Sequence, residues 1–187
     1  MRLDSAVVAV DWRQRTLRTE EDEHPYDALV STMPLPDLVG LLVDPPSAVA
    51  EAAAALRATS VTYWDVGAAG ANPPSSAHWI YFPEPSIPFY RAGSASAAVP
   101  AVAPADHRSY YVEVSHRRGT ACPVGDADIL SSLRAVGLLG ADEDPVVFHR
   151  TTIDCAYVIM DGAYGRARAT VHDWLQTEKI LSVGRYG

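Results

Sequence analysis

The sequence lacks most of the short motifs by which enzyme sites are usually recognised. Its 187 residues contain no HExxH, no GxSxG, no CxxC, and neither GxGxxG nor GxxxxGK[ST]. These absences argue against a zinc protease, a serine hydrolase and a self-contained phosphate-binding loop. The six histidines are isolated from one another, so no metal site is predicted.

Cysteine and basic charge are also scarce. Cys122 and Cys155 lie far apart without a neighbouring ligand, so we expect two small buried apolar residues in a reducing compartment. A net charge of -8 argues against a nucleic-acid partner, which would need a basic face. No apolar run is long enough to span a bilayer and no signal peptide is evident, so we expect a cytoplasmic protein.

The patterns that are present predict a mixed α and β fold. Residues 5–20 predict a hairpin, and residues 28–30 predict a buried strand. Ser47 and Asp126 are expected to cap helices, and Gly137 to end one. The further predicted strands are 59–67, 78–82, 87–93, 109–115, two segments within 144–160, and 179–183. The predicted helices are 37–43, 47–58, 126–136 and about 163–178.

Two places could bind a ligand. The strand at residues 28–30 runs into Ser31, Thr32 and Pro34, which could present backbone to a ligand or could simply be a proline turn. Arg91 closes the segment "IPFYR", where alternation predicts Phe89 and Arg91 on one side and Tyr90 on the other. Arg91 could bind a carboxylate or phosphate, or could cover an apolar edge with its stem. The local sequence leaves both questions open.

Several stretches together resemble one family. "YDALVSTMPLPDLVGLL", "HWIYFPEPSIPFYRAG", "SYYVEVS" and "ILSVGRYG" are similar to the FAD-dependent oxidoreductases of the amine oxidase, protoporphyrinogen oxidase and UDP-galactopyranose mutase superfamily. The similarity runs from about Ala6 to Gly187. It implies an α/β (mixed α+β) fold, with a partial FAD/NAD(P)-binding Rossmann-like sheet and an antiparallel substrate-domain sheet with helices.

The resemblance also implies a division of the chain and a set of site residues. Residues 1–45 correspond to part of the FAD-binding region, 46–145 to the substrate domain, and 146–187 to a return to the FAD-binding region. The residues implied at FAD are Val8, Thr32, Met33, Pro34, Gly184 and Arg185, and those at a small-molecule substrate are Tyr81, Tyr90 and Arg91. No catalytic residue is implied.

Members of this superfamily begin with a GxGxxG unit that this sequence does not contain, and continue past the strand that corresponds to "GRYG". We therefore expect the C-terminal portion of such an enzyme, inactive in isolation. One alternative is a non-catalytic binding or assembly module, completed by an N-terminal Rossmann polypeptide or by a second copy of the chain. Another is a binder of nucleotide sugars that uses Arg91 and Arg185.

Overall fold

The computed structural model describes residues 2–70 and 77–186, so Met1, Gly187 and part of the loop predicted after Gly70 lie outside the described residues. The predicted mixed α/β class is confirmed. The helices are α1 Leu35–Leu41, α2 Ser47–Ala55, α3 Ala95–Ala98, α4 Asp126–Ala135 and α5 Tyr164–Thr177, with a 3-10 turn at Pro100–Val102. The strands are β1 Val7–Asp11, β2 Thr16–Thr19, β3 Glu23–Pro25, β4 Leu29–Ser31, β5 Arg57–Ala69, β6 Trp79–Tyr81, β7 Arg91–Gly93, β8 His107–Arg117, β9 Val147–Ile159 and β10 Ile180–Ser182.

The chain divides into two compact units. The first combines Met1–Ala58 with Tyr157–Gly187, and the second is Thr59–Ala156. The first unit is therefore built from two ends of the chain, while the second is one continuous stretch. The assignment of these regions to FAD binding and to substrate binding stays a prediction.

The first unit contains a small antiparallel sheet and a parallel strand pair. The predicted hairpin is confirmed as β1 and β2, and its turn is held by Asp11 Oδ1, which accepts hydrogen bonds from the amides of Arg13 and Gln14 at 3.0 and 2.9 Å. The polar segment before Tyr26, for which no strand is predicted, forms β3, which pairs with β2. β4 and β10 pair in parallel, and β10 confirms the strand predicted at residues 179–183.

Helices α2 and α5 pack against each other in the first unit. Their buried faces carry Val49 and Ala53 from α2, and Val171 and Leu175 from α5. Ser47 is the first helical residue rather than the predicted cap, because Pro46 occupies the capping position and presets an extended backbone there. The short side chains of α2 allow this close helix contact.

The second unit is a five-stranded sheet in the order β6-β7-β8-β5-β9, with one face covered by α4. Alternate residues of β5 and β8, including Trp64, Val66, Tyr110 and Val112, join Leu133 in the core. The two segments predicted within residues 144–160 are one strand, β9, because no turn residue interrupts it.

Two cap predictions for α4 have different outcomes. Gly137 ends the helix in a left-handed conformation at φ 75°, as predicted. Asp126 is not the cap: Gly125 precedes the helix, and the Asp126 carboxylate instead accepts a hydrogen bond from Trp64 Nε1 at 2.8 Å. The cysteines are half-buried rather than buried. Among the residues that the structure describes, no helix has the length and apolar character needed to cross a membrane.

An ion pair holds the segment after α4 against β8, and it predicts a pH dependence of stability. Arg108 Nη2 lies 2.6 Å from Glu143, whose carboxylate also accepts a hydrogen bond from the Gly140 amide at 2.8 Å. The hydrogen bond from Arg108 is the main reason that the pKa of Glu143 lies below its usual value. A depressed carboxyl pKa adds stability above the unfolded-state pKa, about 4.3, and that stability is lost as pH falls through the folded-state pKa.

We expect Glu143→Gln to lower the free energy of unfolding at pH 7, and we expect the difference from wild type to shrink between pH 5 and pH 3. Urea unfolding at several pH values measures this. Glu84→Gln is the control, because Glu84 is an exposed glutamate. A difference that stays constant from pH 7 to pH 3 would contradict the prediction.

Candidate functional site

The carboxyl ends of β4 and β10 meet in the first unit and form what we call the strand-end edge, residues 31–34 and 182–185. The Val183 amide donates to the Ser31 carbonyl at 2.8 Å, which extends the parallel pairing past both strands. A Cβ placed on Gly184 would lie 3.6 Å from the Thr32 carbonyl oxygen, so the two segments run side by side. Because parallel strands end at the same edge, small residues distant in sequence become neighbours there.

This edge contains five of the six residues that the resemblance implies at the cofactor: Thr32, Met33, Pro34, Gly184 and Arg185. The sixth, Val8, lies on β1 in the three-stranded sheet and is 46% exposed. The structure therefore groups the residues of two strand ends and leaves Val8 on a different sheet.

Gly184 and Arg185 are held in place by the residue that follows them. Tyr186 is 3% exposed, and its carbonyl accepts hydrogen bonds from Arg168 Nε at 2.6 Å and from His172 Nε2 at 3.1 Å. Its hydroxyl donates to the Arg57 carbonyl at 3.3 Å. Because both the carbonyl and the side chain of Tyr186 are hydrogen-bonded, the residues before it have little conformational freedom. Sequence reasoning missed these contacts of Tyr186, because no local sequence pattern marks a tyrosine at this position as buried.

The backbone at Gly184 has φ 126°, a conformation that favours glycine. The Arg185 guanidinium lies 4.6 Å from the centre of the Tyr157 ring, while the residue itself is exposed. An exposed arginine next to a glycine, which has no side chain to block access, can approach an anionic group closely. The Ser182 hydroxyl at the same edge is buried and has no hydrogen-bond partner within the described part of the chain. This set of groups fits an anionic, hydrogen-bonding ligand.

The second candidate site lies on the sheet face of the second unit that points away from the core. Cross-strand register places Tyr81, Arg91 and Glu113 in one row. The next row on the same face contains Trp79 and Tyr111, with Gly93 between them. We call Trp79, Tyr81, Tyr90, Arg91, Tyr111 and Glu113 the arginine patch.

Arg91 is the centre of the arginine patch. Its Nε and Nη2 atoms donate to the two carboxylate oxygens of Glu113 at 3.0 and 2.7 Å, and both side chains are largely buried. The hydrogen bond to Glu113 raises the pKa of Arg91 above its usual value. Tyr90 also donates from its hydroxyl to Glu113, and Arg91 Nη1 lies 3.4 Å from the Tyr81 hydroxyl.

Aromatic rings surround the Arg91 guanidinium. Its central carbon lies 4.9 Å from the ring centre of Trp79, 5.7 Å from Tyr90 and 5.9 Å from Tyr81. Trp79 and Tyr81 are 57% and 59% exposed, which is unusual for large aromatic residues on a sheet. Because Glu113 neutralises Arg91, the patch favours a polar ligand with a flat group that stacks on these rings.

One glycine opens the space in which Tyr111 lies. A Cβ placed on Gly93 would overlap the Tyr111 ring, so only glycine allows the ring to lie across β7. The Tyr111 hydroxyl there accepts a hydrogen bond from Trp79 Nε1. Gly93 therefore provides the space in which Tyr111 contacts Trp79.

The structure brings the three predicted substrate residues, Tyr81, Tyr90 and Arg91, together in the patch. The predicted sharing of one side by Phe89 and Arg91 is wrong: Phe89 is fully buried in the core, and the strand begins only at Arg91, so the alternation does not extend back to Phe89. Sequence reasoning missed Glu113, Trp79 and Tyr111. Alternation in "SYYVEVS" is a signal that could have assigned Tyr111 and Glu113 to one face, but it does not reveal their neighbours across the sheet.

Comparison with solved structures identifies proteins of similar fold. The chain superposes on reduced UDP-galactopyranose mutase with a TM-score of 0.86 and 25% identity, over 97% of this chain and 41% of that one. The resemblance to the FAD-dependent amine oxidase-like superfamily is confirmed. A protoporphyrinogen oxidase-like chain from Exiguobacterium sp. 255-15 superposes with a TM-score of 0.74 and 16% identity, over 99% of this chain and 42% of that one.

A fatty acid isomerase from P. acnes that produces CLA shares the superfamily fold, with a TM-score of 0.66 and 11% identity, over 96% of this chain and 42% of that one. The chain thus spans about two-fifths of the length of these three structures. No family model and no curated protein matches the sequence.

In the part of the chain that the structure describes, no group of three or more His, Cys, Asp or Glu side chains could hold a metal ion.

The Arg91–Glu113 pair predicts a measurable coupling energy. In a double-mutant cycle with Arg91→Met and Glu113→Gln, we expect a coupling of about 1–3 kcal/mol in the free energy of unfolding, because the pair is largely shielded and doubly hydrogen-bonded. Urea unfolding of the four proteins measures it. The matched control is the Arg2–Asp22 pair, whose side chains are 64% and 55% exposed and whose coupling should stay below about 1 kcal/mol. Equal coupling in the two cycles would contradict the prediction.

Proposed function

We propose that this chain is part of a FAD-dependent oxidoreductase, in which the first unit contributes contacts to the flavin cofactor and the second contributes the substrate pocket. The observation that carries the proposal is the strand-end edge, where Gly184, the residue before Arg185, lies beside Thr32. The similarity to UDP-galactopyranose mutase over nearly the whole chain supports it. The relatives belong to FAD-binding families, which makes FAD the expected cofactor.

The groups at the strand-end edge fit FAD. Arg185 offers a cation to the pyrophosphate, and Gly184 leaves room for close approach of the backbone. Thr32, Met33 and Pro34 would line the cofactor from the neighbouring strand end. When bound, FAD supplies the redox chemistry, either by accepting a hydride or, when reduced, by assisting the rearrangement of a sugar. The chain's own residues bind and orient the cofactor.

The arginine patch would bind the substrate. Trp79 and Tyr81 present exposed rings on which a flat group can stack. Glu113 holds the Arg91 and Tyr90 side chains in place, and these two side chains orient a polar group of the substrate. A small polar or nucleotide-sugar-like substrate fits these groups. A substrate phosphate would have to compete with Glu113 for Arg91, so neutral polar groups are favoured over free anions at this position.

Titration of the isotopically labelled chain with FAD, followed by amide NMR, tests the cofactor proposal. We expect the largest shifts at Thr32, Met33, Gly184 and Arg185, with weak affinity, because the sequence contains no glycine-rich phosphate loop. Arg185→Ala should weaken binding about tenfold, the loss of roughly 1.4 kcal/mol. Arg166→Ala is the matched control, since Arg166 is an exposed arginine on α5.

Two results would contradict the proposal. One is the absence of any shift at the strand-end edge at millimolar FAD. The other is equal weakening by Arg185→Ala and Arg166→Ala, which would mean that FAD is attracted only by general positive charge.

A second candidate function, an assembly module, is favoured by the exposed apolar residues of the parallel strand pair. Val30, Leu181, Val183 and Met33 are 60%, 48%, 45% and 39% exposed. Parallel sheets are normally covered on both faces and extend beyond two strands. We infer that a polypeptide with a Rossmann βαβ unit pairs with this sheet and covers its apolar residues, and that without it the strands associate with a second copy.

Sedimentation at increasing protein concentration tests the exposed sheet. We expect the isolated chain to self-associate, and we expect Val30→Lys to shift it toward monomer, because a lysine on a strand blocks edge-to-edge pairing. Val99→Lys is the matched control, since Val99 is 53% exposed outside the parallel pair. A wild-type chain that stays monomeric at all concentrations would contradict this candidate function.

A further inference from the structure

We propose that a cleft in the second unit binds the apolar body of a neutral small molecule, such as a ring system or a branched hydrocarbon. The cleft has a volume of about 400 Å³, within the range of small-molecule sites. Its wall includes Gly67, Val102, Val146 and Val147, with Ser109 and Tyr111. We call it the valine cleft. Its residues belong to the second unit, whereas those of the strand-end edge belong to the first, and its ligand does not depend on the proposed role of FAD.

The valine cleft opens on the sheet face that points away from the core. In the register of β5 and β8, Gly67 faces Ser109 and Asp65 faces Tyr111. All four alternate with core residues along their strands, so their side-chain positions lie on the opposite face. Tyr111 belongs to both the cleft wall and the arginine patch, so a ligand in the cleft lies next to that patch.

Gly67 allows Val147 to pack closely against β5 at the wall of the cleft. A Cβ at this position would lie 3.1 and 3.2 Å from Cβ and Cγ2 of Val147, closer than side chains normally approach. Val147 is the first residue of β9, and the Val146 amide fixes this contact by donating to the Gly67 carbonyl at 2.8 Å. The absence of a side chain at residue 67 therefore positions Val147 in the cleft wall.

The wall of the valine cleft exposes apolar surface to water. Val102, Val146 and Val147 are 57%, 62% and 51% exposed although they converge on one concave site. Single exposed valines are common on protein surfaces, but several around one cleft indicate a surface that is covered by a ligand. Branched or cyclic hydrocarbon groups would complement this wall best, because they match its shape and remove its apolar surface from water.

The charges at the cleft favour a neutral ligand. Arg108 lines the cleft, but its guanidinium is already paired with Glu143 at 2.6 Å and also donates to the Ala69 carbonyl. Asp65 adds an exposed carboxylate to the wall. An anion would therefore meet a neutralised cation and a repelling carboxylate.

Two fluorescent probes of the same shape test both the site and the ligand class. N-phenyl-1-naphthylamine is neutral, whereas 8-anilinonaphthalene-1-sulfonate adds one negative charge to the same ring framework. Titration of the full chain should show saturable fluorescence enhancement with the neutral probe, and at least tenfold weaker binding of the sulfonate. Equal or tighter binding of the sulfonate would overturn the inferred ligand class.

Two substitutions locate the site of binding. We expect Val147→Asp to weaken binding of the neutral probe at least tenfold, while Val99→Asp leaves it unchanged, because the two valines are 51% and 53% exposed but only Val147 lines the cleft. Gly67→Val should also weaken binding, because its side chain would displace Val147 from the cleft wall. Circular dichroism and thermal unfolding verify that each variant is folded, and any variant that is not folded is replaced by Val102→Asp.

The proposal is overturned if the neutral probe shows no saturable binding to the wild-type chain. It is also overturned if Val147→Asp and Val99→Asp have the same effect, since the probe would then report general apolar surface. The outcome does not depend on FAD binding, so failure of this proposal and failure of the cofactor proposal can be told apart.

Discussion

The antiparallel pairing of β5 with β8 is the constraint on which the second unit depends. Eleven residue pairs, from Thr59–Arg117 to Ala69–His107, fix which side chains enter the core and which face outward. A shift of one residue would exchange the two sets, placing Trp64 and Val112 in water and Glu113 in the core. The same register therefore builds the core, the arginine patch and the valine cleft.

The first unit depends on a different constraint, the meeting of strand ends from distant parts of the chain. β4 and β10 are each three residues long, so they gain little from their own hydrogen bonds. The packing of α2 on α5 and the anchored Tyr186 hold the second strand end in position. Contacts of neighbouring residues, above all Tyr186, thus help to place Gly184 and Arg185.

Glycine marks three positions where the structure needs space rather than a side chain. Gly93 makes room for the Tyr111 ring, Gly67 makes room for Val147 in the wall of the valine cleft, and Gly184 adopts a backbone conformation beside Thr32 that other residues rarely adopt. In each case the neighbouring group is distant in sequence. The glycines are visible in the sequence, but their reasons are not, because the atoms that require them come from another strand.

The sequence alone determined the hairpin, the mixed fold class, most strand and helix positions and the helix end at Gly137, since alternation and turn residues act locally. Its resemblance to the superfamily was also confirmed by the solved structures. Only the tertiary structure decided that Arg91 pairs with Glu113, that Phe89 enters the core and that Val8 lies on a sheet apart from the strand-end edge. The physical reason is that local patterns assign a residue only to one face of a strand or helix. Its partners on that face depend on strand register and on packing between segments up to about 150 residues apart in the sequence.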